Sequence, residues 1–307
     1  MTSTDIITAI GFSAGVSGKG DLSRLDASLA RLAEIGADAA ELSLYGEDLI
    51  AGGRLLPDRV HKLEQICRRH ELAYTVHGQI VSNFMDETHL DLQKAVVRSM
   101  LELCDRVGAT VLVHHAGQAP MTDQAGRDRL DDMERQALAE LADVARGYGV
   151  RLAFENIFAM GDHEYRQTPA EVAETVRAVD HPNLCTLIDF SHAYIESTRR
   201  GLDWRAQIRS MASATGHLHV HDSFGRPYSM TKFYDQSEAV ALGIGDLHLP
   251  LGWGDIAWEE IFTELRFRPG STMILELNAD RYGAELADSL ARARRLAALC
   301  NQQALAA

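Results

Sequence analysis

The chain has 307 residues, 46% of them hydrophobic and 24% charged, with a formal net charge of −14. That length can bury roughly three quarters of its unfolded surface around one core, so a single large α/β domain is admissible. The acidic balance argues against a generally basic nucleic-acid surface, and the four separated cysteines (Cys67, Cys104, Cys185, Cys300) offer neither a disulfide framework nor a C-x-x-C metal site.

Short apolar runs alternate with longer amphipathic ones along the chain. Ile6–Phe12 reads as a strand, and Leu22, Leu25, Leu29, Leu32 and Ile35 follow at helical spacing until Gly36. Six further pairs come next: Ala39–Leu44 with Pro57–His70, Leu72–His77 with Asp91–Val107, Thr110–His115 with Asp131–Tyr148, Val150–Glu155 with Pro169–Val179, Leu184–Asp189 with Trp204–Met211, and His217–His221 with Ile256–Leu265. Thr168-Pro169 is a helix-start signal in the fifth unit. Thr272–Leu277 with Ala284–Leu299 completes eight strand–helix units. With no composition break between them, the expected fold is a (β/α)₈ TIM barrel forming one domain over 1–307. The start MTSTDIITAIGF lacks a basic leader and no later stretch is long enough for a membrane span, so a cytoplasmic protein without membrane partners is expected.

Polar residues fall where such a barrel places its active site. Strands two to eight read AAEL, YTVHG, VLVHHAG, LAFEN, TLIDFSH, HLHVHD and ILELN, each with a carboxylate or imidazole near its carboxyl end. A single polar residue there is usually just solvated at the rim, but seven in succession point to one convergent site. In the seventh strand His217, His219 and His221 alternate with Leu218 and Val220, so three imidazoles project to one face. Asp246 and His248 sit two apart in GIGDLHLPLG, a spacing that suits one ion if the segment is extended.

The run HGQIVSNF, HHAG, FEN, LIDFSHA, HLHVHDS, DLHLPLGWG and ILEL resembles, in that order, the xylose isomerase-like TIM barrel superfamily. That superfamily includes sugar isomerases and epimerases and the endonuclease IV family, and the resemblance spans nearly the whole chain. It implies a metal quartet of Glu155, Asp189, His219 and Glu276. Members resembling endonuclease IV add ligands for further ions, which here match His77, His115, His192, Asp246 and His248. Choosing His115 over His114 rests on matching HAG to that family's HPG, since strand parity leaves both open.

Three carboxylates and an imidazole suit Zn²⁺, Mn²⁺, Co²⁺ or Mg²⁺, as one ion or as two or three, in an open site rather than a closed structural one. In an isomerase or epimerase, Glu155 and Glu276 resemble the pair that removes and returns a proton on opposite faces of a sugar carbon. In a hydrolase the same ligands would hold clustered ions acting on a phosphoester. A barrel that only binds sugar is the remaining alternative. The rim loops SLYGEDLIAGGRLLP and IFAMGDHEYRQT lack the basic character that a duplex-binding nuclease needs, so the expected partner is a small polyhydroxylated substrate rather than nucleic acid. Arg226 and Lys232, with Tyr234 beside them, are candidate contacts for a phosphate or sugar carboxylate, and Trp253 is a candidate cap for a sugar face. Assembly into a homo-oligomer is compatible with this expectation.

Overall fold

The structure, a computed structural model, describes residues 5–15, 19–228 and 232–304. Eight staves form the barrel: β1 (Ile7–Ala14), β2 (Ala39–Ser43), β3 (Ala73–His77), β4 (Ala109–His115), β5 (Arg151–Glu155), β6 (Leu184–Asp189), β7 (Thr215–Val220) and β8 (Ser271–Leu275). Each pairs in parallel with its sequence neighbours, and β1 closes the ring against β8. Closure needs a close approach between β1 and β2, where a Cβ on Gly11 would lie 1.9 Å from the Ala39 carbonyl oxygen. Glycine is required there by contact rather than by backbone angle.

The helices around the ring are α1 (Leu25–Glu34), α2 (Pro57–Cys67), α3 (Leu90–Val107), α4 (Gln124–Tyr148), α5 (Pro169–Val179), α6 (Phe190–Arg200), α7 (Trp204–Ala212), α8 (Gln236–Leu242), α9 (Trp258–Glu264) and α10 (Leu286–Ala304). Thr168 caps α5 in a reciprocal box with Glu171, as the Thr-Pro signal predicts. The sequence expectation missed two helices. α6 starts directly at the end of β6, and α8 lies inside the long loop after β7. It also started α4 too late: Asp123 accepts a hydrogen bond from the Gly126 N–H and begins the helix at Gln124. Among the described residues no helix is long and apolar enough to cross a membrane.

Strand alternation divides the core into two layers. Outward residues such as Leu112, Leu152, Ile188 and Leu218 pack under the helices in the main apolar cluster. Val111, Val113, Ala153, Cys185 and Leu187 form a separate cluster that plugs the barrel interior. Two residues further along the same inward rows come His115, Glu155 and Asp189. The apolar plug is therefore a floor, and the polar side chains stand on it at the carboxyl ends of the strands. All four cysteines are buried and unpaired.

Candidate metal centre

His219 stands at the middle of the cluster. Its Nδ1 lies 3.3 Å from Glu155 Oε1 and 3.3 Å from Glu276 Oε2, while its Nε2 faces Glu41 Oε1 at 2.9 Å. Glu155 in turn meets His77 Nε2 at 3.6 Å, His115 Nε2 at 3.4 Å and His192 Nδ1 at 3.2 Å. Possible ligand atoms of Glu155, Asp189 and His219 all lie within 4.8 Å of one another, and Glu276 joins His219, His77 and Glu41 within the same limit. The four quartet residues thus converge around the His219 ring.

A second set adjoins it. Asp246 Oδ2 lies 2.8 Å from His248 Nε2 and 3.3 Å from His192 Nε2, and His221 Nε2 lies 3.0 Å from Asp189 Oδ2. The His221 and His248 rings stack at 4.1 Å. His248 holds its place with a φ of +48°, a conformation that non-glycine residues seldom adopt. Its Nδ1 donates to the Glu276 carbonyl at 2.7 Å, which orients the ring and turns Nε2 toward Asp246.

Neighbouring groups aim these side chains. Asn156 clamps the end of β6, accepting from the Asp189 N–H at 3.0 Å and donating to the Asp189 carbonyl at 2.9 Å. Asp189 caps α6 through the His192 N–H at 2.7 Å, which directs the His192 ring back at Glu155. Of the histidine pair at the end of β4, His115 faces Glu155. His114 points outward and stacks on Phe84 at 4.0 Å. There burial, with His115 and His77 nearby, lowers its pKa to about 3.

The electrostatics follow from this crowding. Burial opposes the charge of Glu155, but His219 and His115 outweigh it and hold the carboxyl well below the usual range. Asp246 is held well below as well, since His248, His192 and His221 outweigh its burial. Burial alone would neutralise His77, yet Glu155, Glu41 and Glu276 raise it to about 9. Asp246 and Glu276 likewise overcome burial and raise His248 to about 10. Despite these short contacts, neither Glu155 oxygen nor either His219 nitrogen has a hydrogen bond of good geometry. Buried polar atoms left in that state are costly unless another group completes them. Carboxylate oxygens and imidazole nitrogens with no cysteine among them fit a hard or borderline divalent cation.

Two members of the cluster were not among the expected ligands. Glu41, fully buried on β2, accepts from Thr75 Oγ1 at 2.9 Å and contacts His217 Nε2 at 2.8 Å. His221 was visible as the third imidazole of its row and Glu41 as the acid in AAEL, but neither motif shows what it meets. The three candidate substrate contacts lie elsewhere. Arg226 donates to the Leu242 carbonyl at 2.5 Å, Lys232 sits 5.2 Å over the Tyr234 ring, and Trp253 packs edge-on against Tyr282 at 5.6 Å. None of them lines the cavity of about 590 Å³ that opens beside Glu276 and His248. Its inner wall is Ser13, Ser43 and Tyr45.

Comparison with known proteins places this geometry in a family. The sequence model of the xylose isomerase-like TIM barrel matches residues 29–299. No curated protein matches the chain by sequence. Among solved structures, a D-tagatose 3-epimerase-like protein superposes with a TM-score of 0.70 at 20% identity, covering 96% of this chain and 99% of that one. A 3-keto-D-glucoside 4-epimerase from E. coli gives 0.65 at 18% identity, covering 94% and 99%. A xylose isomerase-like TIM barrel protein from Mycobacterium smegmatis in complex with magnesium gives 0.62 at 17% identity, covering 98% and 99%. By fold and by sequence match, the chain belongs to the xylose isomerase-like TIM barrel family.

Proposed function

We propose that the protein is a divalent-metal-dependent isomerase or epimerase acting on a small keto sugar or a related polyhydroxylated substrate. The observation that carries this is the approach of two carboxylates to one imidazole nitrogen. Glu155 from β5 and Glu276 from just beyond β8 each lie 3.3 Å from His219 Nδ1, although β6 and β7 separate them in the ring. Two acids approaching from different sides suit proton removal on one face of a carbon and return on the other. The epimerases among the structural neighbours support the same class.

Glu155, Asp189, His219 and Glu276 would hold the cation, which supplies Lewis acidity toward a carbonyl and so acidifies the adjacent C–H. Glu155, kept ionised by His219 and His115 despite its burial, accepts the proton from that carbon. The C–H electron pair passes to the carbonyl oxygen; as the carbonyl re-forms, a pair returns to the carbon and takes the proton of the protonated Glu276 carboxyl on the opposite face, and exchange with solvent resets both acids. Ser13, Ser43 and Tyr45 on the adjoining wall present hydroxyls to those of the substrate. The metal-loaded protein, incubated with a panel of ketoses in deuterated water, should place deuterium at the exchanging carbon, and Glu155→Gln and Glu276→Gln should abolish it.

One observation favours a second reading, an endonuclease IV-like multinuclear phosphoester hydrolase. Asp189, His192 and His221 form a further possible ligand group, and His221, His248 and Glu276 another. Silence across the ketose panel in both turnover and exchange, with phosphodiester cleavage that disappears in Glu155→Gln, would transfer the assignment to that class.

A further inference from the structure

The cavity beside Glu276 has an outer end whose chemistry differs from the inner one. There the wall is the start of α1, with Ser23, Arg24, Ser28 and Arg31. We propose that this end is an anion subsite, and that the substrate is an acid-bearing sugar whose phosphate or carboxylate lies away from the reacting carbon. The location of that carbon rests on the isomerase reading; the anion subsite does not.

Three features converge on it. Arg31 donates to the main-chain carbonyls of Gly283, at 2.8 Å, and Ala279, at 3.5 Å, and no carboxylate pairs with it among the described residues. A guanidinium has five donors, so most of its hydrogen-bonding capacity and all of its charge remain. Arg24 meets Asp280 through one Nη2 at 2.9 Å, with the two side chains 55% and 69% exposed. Solvent screens a pair of that kind, and it leaves the rest of the Arg24 fork open. The third feature is α1 itself, which begins at Arg24 with no side-chain cap. Asp26, the acid of its first turn, is drawn away to Arg69 and His70, both at 2.8 Å. Asp21 accepts from the Ser23 N–H at 3.0 Å just before the helix, the first-turn N–H groups themselves have no side-chain cap, and Ala27 of that turn lines the cavity.

The setting makes this arrangement selective. In a chain of net charge −14, the two guanidiniums line the cavity beside two carboxylates, Asp280, which engages Arg24, and Glu276 of the metal cluster, so Arg31 is the cation there without an acidic partner among the described residues. Among the described residues, Tyr45 and His248 supply the cavity's only aromatic rings, and both belong to the inner end. The outer end thus has no aromatic platform, and beside Ala27 and Ala279 it offers charge and hydrogen bonds. The competing role for Arg24 and Arg31 is to tie the loop after β8 to α1. That role predicts an effect on stability and none on ligand charge.

Calorimetric titration of the chelator-treated protein separates the two. The probes are inorganic phosphate, a ketohexose phosphate, a ketohexuronate and the neutral ketohexose. At least one acid should bind about tenfold or more tightly than the neutral sugar, the scale of a charge-assisted contact. That margin should collapse in Arg31→Ala and in Arg24→Ala and be largely restored in Arg31→Lys. Preference for the phosphate or for the uronate identifies which acid the subsite takes. Glu155→Gln should retain the margin while losing turnover, so failure of the isomerase reading and failure of the subsite are told apart. Equal affinity for all three sugars, no binding of either acid, or a margin unchanged in both alanine variants would overturn the proposal. If Arg31→Ala fails to fold, Arg24→Ala and Arg31→Lys decide it.

Discussion

His219 can serve a cation with only one of its nitrogens, and Glu41 bears on which one. Its Nδ1 faces Glu155 and Glu276, while Nε2 lies 2.9 Å from Glu41 Oε1, a contact the ring must turn slightly to align as a hydrogen bond. The other Glu41 oxygen is fixed by Thr75 and His217. A carboxylate behind a histidine holds the N–H on its own side and raises the basicity of the nitrogen opposite. Glu41→Gln is therefore expected to weaken divalent-metal affinity about 10- to 100-fold, measured by competition with a chromophoric chelator. The chelated protein should lose stability as well, because removing one partner of a buried ion pair leaves the facing imidazole uncompensated, so affinity is compared under conditions where both proteins are folded. Unchanged affinity would leave Glu41 as barrel filling. The motif AAEL displays this acid, but its partner His217 lies 176 residues away and no local spacing encodes the contact. Trp253, whose neighbourhood in sequence suggested a sugar cap, packs edge-on against Tyr282 and keeps half of its surface exposed.

At the scale of elements, legibility followed the contrast between buried and solvated faces. The strands announced themselves by apolar runs, and Thr168-Pro169 marked its helix because a cap is a local device. α6 escaped because its buried side includes Ser191, His192, Glu196 and Ser197, which dilutes the apolar period. Glu196 can be buried there because Arg199 and Arg200 pair with it at 2.8 and 3.2 Å. Nor does the sequence show what holds the segment bearing Asp246 and His248. Asp222, just past β7, exchanges main-chain hydrogen bonds with Leu249 at 2.8 and 3.2 Å, and its buried carboxylate accepts from the Gly252 N–H at 2.7 Å. This staple spans the far side of His248 and sets where that ring can reach. Asp222→Ala should cost about 1–3 kcal/mol in chemical denaturation, the scale of buried N–H groups left unsatisfied. It should also lower metal content relative to an equally destabilised variant on the opposite side of the barrel. Full metal content would confine Asp222 to a structural role.

At the scale of the whole molecule, the possible ligands come from β2 to β7, from the residue just past β8, from α6 and from the loop after β7. A cation held by them would tie these strands together above the apolar plug, adding to the contacts the barrel interior already makes. Its removal should therefore act on the cooperative unfolding of the whole barrel rather than on one loop. Because the folded state alone assembles these ligands, free metal at about 1,000 times its dissociation constant should add about 4 kcal/mol of stability. The chelated protein should accordingly unfold at a clearly lower temperature in one transition. Elemental analysis then counts the ions. One per chain fits the Glu155, Asp189, His219 and Glu276 set acting alone. Two or three would engage Asp246 and His248 as well, and the double variant Asp246→Ala, His248→Ala should lower the count without unfolding the barrel. If the chain carries no metal and its unfolding midpoint is the same with and without chelator, the metal centre falls, and the isomerase and hydrolase readings fall with it.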